Sequence, residues 1–153
     1  MRALYYAKKL YQIDKKILLI YIEALIFLIW GRILLFMPFS KLAPKLGKAM
    51  HETTRERSLE DKKQALQIGY AIQRMSKFTI WKSTCLIRAI AAMKMLERRN
   101  MDSTLYLGTG KNQSGSMIAH AWLRSGTVIV TGADAMKNYT VVSKFAKTVN
   151  EGG

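Results

Sequence analysis

The chain has 153 residues, a length typical of one compact domain or of a small domain with a helical extension. Half of the residues are hydrophobic and 23% are charged, which permits a buried core and excludes a wholly disordered chain. A single cysteine excludes an intramolecular disulfide and favours a reducing, cytoplasmic compartment. Because the chain has only two histidines besides that cysteine, we expect no metal site and no bound cofactor.

Positive charge is spread along the whole chain. Lys and Arg number 25 against 10 Asp and Glu, a net charge of +15. Nine basic and two acidic residues give the first 50 positions +7, so the remainder carries +8. Such a field attracts nucleic acid, an anionic membrane surface or an acidic peptide. No nucleic-acid-binding motif accompanies the charge, and it is not concentrated on one helix, so we expect no nucleic-acid partner.

Residues 1–57 are predicted to form an apolar helical extension and a connector. The uninterrupted apolar pieces, Ile17–Ile22 and Ala24–Gly31, are shorter than the roughly 20 residues needed to span a membrane. The pattern favours a docking helix that ends near Met37, and the lysines before it leave peripheral contact with the inner membrane face open. Residues 40–57 are predicted to be the connector.

Residues 58–153 are predicted to form the main domain, with helices first and an antiparallel sheet after them, an α+β class. Ser58 and the pair Ser83-Thr84 have the chemistry of helix N-caps. The apolar period then changes from helical to alternating. The predicted strands are Thr104–Leu107, Met117–Arg124, Thr127–Thr131 and Tyr139–Val142, with a loop at Gly108–Ser116 and a turn at Ser125-Gly126.

Cys85 is predicted to lie in the first turn of its helix. There the unpaired N–H groups and the positive end of the helix dipole favour the thiolate, the nucleophilic form of cysteine. The alternative is that Cys85 is a small buried hydrophobe. The Cys85 N–H would supply one donor of an oxyanion hole, and the second would come from Trp81, Lys82 or the loop around them.

His120 is predicted to lie in a strand, on the same face as Trp122 and Arg124. A histidine between alanines is often only a satisfied core residue. However, a cysteine at a helix start, then a histidine on a strand, then a polar group on the next strand is the order used by papain-like and transglutaminase-like enzymes. This order favours a catalytic pair of Cys85 and His120.

Three segments together resemble a known family. Residues 84–89 (TCLIRA), 120–124 (HAWLR) and 129–132 (IVTG) are similar to the leader peptidase of lasso-peptide biosynthesis, the transglutaminase-like domain of the lasso B protein, here expected as a free-standing form. The resemblance implies a papain-like cysteine protease that removes the leader from a ribosomally made precursor. It also implies two partners, a leader-binding protein and a separate macrolactam cyclase.

The third member of the implied triad departs from the family pattern. An acidic residue is expected about a dozen positions after the histidine, where this chain has Gly132. Asp134, the nearest acid, is our candidate to orient His120, which gives the triad Cys85, His120 and Asp134. Thr131 is the alternative, because a turn at Ser125-Gly126 would place its side chain opposite His120.

Two other functions remain open from the sequence. One is a different transglutaminase-like acyl transferase, since the same Cys–His pair serves both reactions. The other is a non-catalytic basic accessory protein that binds membrane or nucleic acid. The apolar N-terminal helices need a cover in either case, which would be the protein's own core, a partner, the cyclase or the membrane.

Overall fold

The computed structural model describes residues 1–11, 14–79, 84–134 and 136–149. Its α-helices are α1 (Arg2–Tyr11), α2 (Lys15–Leu34), α3 (Phe39–Leu46), α4 (Leu59–Ser76) and α5 (Cys85–Glu97). Its strands are β1 (Lys48–Ala49), β2 (Ser103–Lys111), β3 (Met117–Ser125), β4 (Val128–Thr131) and β5 (Thr140–Lys147), with a short 3₁₀-helix at Met136–Asn138. The predicted α+β class is confirmed.

The described strands form one antiparallel sheet in the order β1-β5-β2-β3-β4. Helices α4 and α5 pack on one face of this sheet, and α2 packs on both of these helices. Ala121 and Leu123 of β3 belong to the core that the helices cover, together with Ile68 of α4 and Ile90 of α5. Elements assigned to an N-terminal extension by sequence, α2 and β1, are therefore part of the same packed layers.

Helix α2 is attached to the helical layer by one face and by an ion pair. Leu28 and Gly31 are buried in this contact, and a Cβ on Gly31 would lie 3.3 Å from the carbonyl oxygen of Ile87. Glu23, a carboxylate in this apolar helix, accepts from both Nη atoms of Arg99, at 3.0 and 2.7 Å. Close backbone approach and a two-point ion pair thus hold α2 against the end of α5.

Two predicted helix starts are confirmed. Ser58 accepts a hydrogen bond from the N–H of Asp61, and α4 begins at the next residue. Thr84 accepts from the N–H of Ile87, and α5 begins at Cys85. In both cases a short hydroxyl side chain satisfies an N–H group that the first helical turn leaves without a partner.

The predicted connector at residues 40–57 contains a short helix and a short strand. Helix α2 ends at Leu34 instead of Met37, and α3 follows in spite of Pro44. Proline removes one helical hydrogen bond, but Leu42 and Leu46, one turn apart, are both buried by this short helix. Burial of that apolar face outweighs the missing bond.

Strands β2 and β5 are longer than predicted. β2 continues to Lys111 through Gly108 and Gly110, which the sequence places in a loop. Glycine is required at 108 because a Cβ there would lie 2.8 Å from the Trp122 ring, so here it marks a close approach and not a turn. β5 likewise continues to Lys147.

The turn between β3 and β4 lies at Gly126-Thr127, one residue later than predicted. Gly126 has φ of 58°, in the left-handed region that this type of hairpin turn needs and glycine adopts readily. Ser125 pairs with Val128 as a result. The Gly126 carbonyl also accepts a hydrogen bond of 2.7 Å from Arg124, which holds the turn in this place.

The change of turn alters which residues face each other across the hairpin. Arg124 pairs with Ile129, and a register shift then pairs Leu123 with Thr131. The predicted pairing of Thr131 with His120 is therefore wrong. Because strand side chains alternate between faces, Thr131 lies with Leu123 on the helix side of the sheet.

A buried guanidinium occupies the opposite face of the sheet. Arg124 is 1% exposed, and its Nε donates to the hydroxyl of Tyr106 at 2.9 Å. Its Nη atoms donate to the carbonyl oxygens of Gly126 and Thr53, at 2.7 and 3.0 Å. Tyr106 in turn donates to Glu52 at 2.7 Å. These bonds fasten the segment before α4 across the sheet and onto the hairpin turn.

The same cluster shifts two pKa values in opposite directions. The hydrogen bond from Tyr106 and the nearby cations Lys144 and Arg124 lower the pKa of the Glu52 carboxyl, against its partial desolvation. Burial, followed by the hydrogen bond to Glu52, raises the pKa of Tyr106. Glu52 therefore contributes stability at neutral pH that is lost as the pH falls through its lowered folded-state pKa, whereas the Tyr106 contribution is lost at alkaline pH.

We expect Arg124→Met to lower the free energy of unfolding by about 3–5 kcal/mol, because it leaves the carbonyls of Thr53 and Gly126 buried without a donor. The control Arg98→Met removes the same charge from an ion pair with Glu23 in which the arginine is 59% exposed, and it should cost at most about 1 kcal/mol. Urea unfolding followed by circular dichroism measures both. Equal losses would contradict the importance of the buried cluster.

Candidate active site

Cys85 is the first residue of α5, as the sequence predicts. Its side chain is partly exposed and packs at the edge of the core. The hydroxyl of Thr84 accepts from the N–H of Ile87 and fixes the helix start at this position. The thiol thus lies at a capped helix N-terminus, where backbone N–H groups point out of the helix. Ser83 and the proposed oxyanion donors, Trp81 and Lys82, lie outside the described residues.

His120 lies on β3, and its ring is held from three directions. Nε2 donates a hydrogen bond to the carbonyl oxygen of Gly132 at 2.9 Å. The imidazole stacks on Tyr139, with centroids 5.0 Å apart, and on Trp122 at 5.9 Å. Since a carbonyl only accepts, the proton of the neutral ring is on Nε2, and Nδ1 is the nitrogen left to accept or to take a proton.

The structure does not join Cys85 and His120 directly. No hydrogen bond links the Cys85 sulfur to the imidazole among the described residues. Helix α5 packs on the face of β3 that carries Ala121, whereas His120 shares the other face with Trp122, as alternation predicts. The catalytic pairing of Cys85 and His120 stays a prediction.

Neither predicted orienting residue contacts the imidazole. Asp134 is exposed in the turn after β4, and no hydrogen bond connects it with His120 among the described residues. The hydroxyl of Thr131 is buried without a hydrogen-bond partner. The position beside Nε2 is taken by the backbone carbonyl of Gly132, so the orienting role of Asp134 stays a prediction.

Sequence reasoning missed the backbone acceptor at Gly132. The signal was present, because Gly132 occupies the offset at which the resembled family has its acidic residue. Gly132 has φ of 78°, and a Cβ there would lie 2.6 Å from the carbonyl oxygen of Ala121 and 3.1 Å from Nε2 of His120. Only glycine lets the chain pass so close to the ring.

A cleft of about 410 Å³ lies beside the start of α5, between α4 and the end of β4. Arg88 lines it from α5, one turn after Cys85, and Thr131 lines it from the strand. Asp134 lies at the same cleft. Within the part of the chain that the structure describes, no group of three or more His, Cys, Asp or Glu side chains is placed to hold a metal ion.

A family model for the transglutaminase-like superfamily matches residues 33–144, most of the chain, including Cys85, His120 and Gly132. The chain belongs to this superfamily. Its members are usually enzymes, cysteine proteases and transglutaminases, which supports a cysteine-dependent hydrolase or acyltransferase. The comparisons with curated proteins and with solved structures found no match.

We expect Gly132→Ala to destabilise the protein more than Gly115→Ala and to release His120. Both glycines have positive φ, 78° and 82°, but a Cβ at 115 meets nothing within 4 Å. Gly115→Ala should therefore cost only the backbone strain, about 1–2 kcal/mol. Thermal unfolding compares the two, and the ¹H and ¹⁵N chemical shifts of the Nε2–H group report whether it keeps its hydrogen bond to the Gly132 carbonyl. Unchanged shifts and equal stabilities would contradict the contact.

Proposed function

We propose that this protein is a cysteine peptidase that removes the leader from a ribosomally made lasso-peptide precursor before a separate cyclase closes the macrolactam. The observation that carries the proposal is a thiol on the first residue of a capped helix in a member of the transglutaminase-like superfamily. The segments around Cys85 and His120 resemble the lasso leader peptidase, which supplies the substrate class.

The proposed reaction proceeds through an acyl-enzyme. The Cys85 thiolate attacks the carbonyl carbon of the scissile amide, and the N–H of Cys85 stabilises the oxyanion. The His120 imidazolium gives its proton to the leaving amine, which frees the core peptide with a new N-terminus. A water molecule then loses a proton to the imidazole and hydrolyses the thioester, releasing the leader as an acid.

Orientation of the imidazole is supported by its existing contacts. A hydrogen bond from Nε2 to the Gly132 carbonyl leaves Nδ1 for the thiol, the arrangement that a cysteine peptidase needs. Asp134 enters the proposal as an additional orienting group that acts when the turn after β4 rearranges. A carboxylate would stabilise the imidazolium more strongly than a carbonyl does.

Two partners belong to the proposal. A leader-binding protein presents the precursor, and the macrolactam cyclase consumes the newly freed amine. The net charge of +15 favours fast association with an acidic leader, an effect that salt weakens. A different acyl transfer, to an amine instead of water, is the alternative, because both reactions share the acyl-enzyme.

We expect Cys85→Ala and His120→Ala each to abolish leader cleavage. Cys85→Ala should leave the thermal unfolding temperature nearly unchanged, whereas His120→Ala should lower it without unfolding the protein, because it removes the hydrogen bond to Gly132 and the ring contacts. Asp134→Ala should reduce turnover, and Thr131→Val should reduce it less. Mass spectrometry of the full precursor, with the leader-binding protein present and absent, measures the products. Addition of a primary amine distinguishes hydrolysis from transfer, because a transferase would form the amide in place of the acid. Full activity of Cys85→Ala would overturn the peptidase proposal.

We further propose a peripheral position on the inner, anionic face of the membrane. Helix α2 is long and apolar enough to cross a membrane by length and composition, with mean hydropathy of 2.2, but one of its faces packs on the protein. Its outward face carries an unbroken apolar stripe, and each residue of it is at least 41% exposed. The stripe consists of Leu19, Ile22, Ile26, Ile29 and Ile33.

The residues next to this stripe favour lipid as its cover. Lys15 and Lys16 supply positive charge in the first turn of α2, and the helix before it, α1, carries Lys8, Lys9 and exposed tyrosines. Exposed aromatic and basic side chains beside an apolar helix face are typical of interfacial helices on anionic membranes.

We expect the protein to float with vesicles that contain phosphatidylglycerol and to bind phosphatidylcholine vesicles much less. Replacing Ile22, Ile26 and Ile29 with Gln should abolish flotation, because the inserted apolar area is lost. Replacing Leu59, Phe78 and Val142 with Gln, exposed apolar residues elsewhere, is the control and should have little effect. Equal binding by both variants would contradict a membrane role for α2.

A further inference from the structure

The cleft between α4, α5 and the end of β4 contains two buried polar atoms without partners. Nε of Arg88 and the hydroxyl of Thr131 are both buried, and neither makes a hydrogen bond in the structure. Arg88 forms no ion pair or hydrogen bond with any described residue, although Thr131 lines the same cleft. Thr131 as a whole is only 9% exposed.

Arg88 as a whole is partly exposed, but its Nε is buried without an acceptor, and an unsatisfied buried donor costs about 1–3 kcal/mol. Arg57 also has a buried Nε without an acceptor, but its guanidinium forms an ion pair with Asp102 at 3.0 Å. Arg124 donates to five oxygen atoms, and Arg99 is held by both oxygens of Glu23. The contrast indicates that the partner of Arg88 is a ligand and not a side chain of the fold.

The lining of the cleft indicates the chemistry of that ligand. Among the described residues that line it, Arg88 is the one cation, and a guanidinium and a hydroxyl in the same cleft match a carboxylate. Leu66 and Ile72 supply an apolar wall that suits the methylene groups of a side chain. Asp134, the one carboxylate among the described residues of the lining, is exposed and forms no ion pair with Arg88.

We propose that Arg88 and Thr131 bind an acidic side chain of the peptide substrate, next to the bond that Cys85 attacks. Cys85 and Arg88 lie one turn apart on the same side of α5, so a peptide across the helix start would place a neighbouring side chain in the cleft. The identity of the ligand as a peptide rests on the proposed function, whereas the site itself rests on the cleft and its unpaired donors.

The test measures binding without catalysis. Full-length Cys85→Ser protein is titrated, by NMR, with an acetylated and amidated hexapeptide that carries one central Glu, and with the same peptide carrying Gln. We expect the Glu peptide to bind about tenfold more tightly, the size of a charge-assisted hydrogen-bond pair. A third peptide has uncharged side chains, an acetylated N-terminus and a free C-terminal carboxylate. It distinguishes a terminal carboxylate from a side-chain carboxylate and should bind like the Gln peptide.

Variants then locate the site. Arg88→Gln should remove the preference for Glu, Arg88→Lys should restore part of it, and Thr131→Val should weaken it a few-fold. Arg98→Gln, an equal loss of charge at an exposed position, should leave the preference intact. If Arg88→Gln does not fold, the nearly isosteric Thr131→Val still decides.

Two results would overturn the proposal: equal affinities for the Glu and Gln peptides in the parent protein, or a preference that persists in both Arg88→Gln and Thr131→Val. Tighter binding of the peptide with the free C-terminus would overturn the side-chain assignment. Because none of these titrations requires cleavage, their failure is distinguishable from failure of the peptidase proposal.

Discussion

The position of the hairpin turn between β3 and β4 determines much of the site, and buried Arg124 holds that turn. Its guanidinium binds the Gly126 carbonyl, the segment before α4 and the centre of the sheet at once. The turn at Gly126-Thr127 sets the register in which Thr131 pairs with Leu123. In that register Thr131 lines the cleft, and the carbonyl of the next residue, Gly132, accepts from His120. The buried Arg124 therefore helps to position both the carbonyl that binds the imidazole and the hydroxyl in the cleft.

The sequence predicted correctly the features that depend on residues close together in the chain, namely the helix starts and the alternation of side chains along β3. Ser58 and Thr84 cap their helices as expected, since N-cap hydrogen bonds involve residues only a few positions apart. Alternation along β3 also grouped His120 with Trp122 correctly. It does not tell which face meets the helices, because side chains on both faces of β3 are buried from Ala121 to Ser125. Register failed for a similar reason, since a one-residue change of turn costs little locally and reverses the facing residues.

The sequence predicted the two reactive residues of the candidate site, Cys85 and His120. It did not predict the groups around them, the Gly132 carbonyl and the unpaired Arg88. A cysteine at a helix start is visible in the sequence because capping residues precede it. The acceptor for the imidazole is a backbone atom, and every residue type carries the same carbonyl. The sequence therefore pointed to it only through the glycine at the offset where the resembled family has an acidic residue. In the sequence, Arg88 stands out only as part of residues 84–89. Its lack of a partner is a property of the packed structure, in which Arg99 binds a carboxylate and Arg124 binds carbonyls.

The described residues show no hydrogen bond between the Cys85 sulfur and the His120 ring, whose present contacts are to Gly132, Tyr139 and Trp122. A movement of the ring toward the thiol that gave up these contacts would lose the hydrogen bond and the stacking. A neutral hydrogen bond contributes about 0.5–1.5 kcal/mol, and each aromatic contact contributes a similar amount. The combined cost is a few kcal/mol, equivalent to about a hundredfold in an equilibrium constant. A substrate or leader-binding partner that prefers the paired arrangement by this factor would shift the population toward it. If the proposed function holds, binding of the precursor and assembly of the catalytic pair are therefore coupled equilibria.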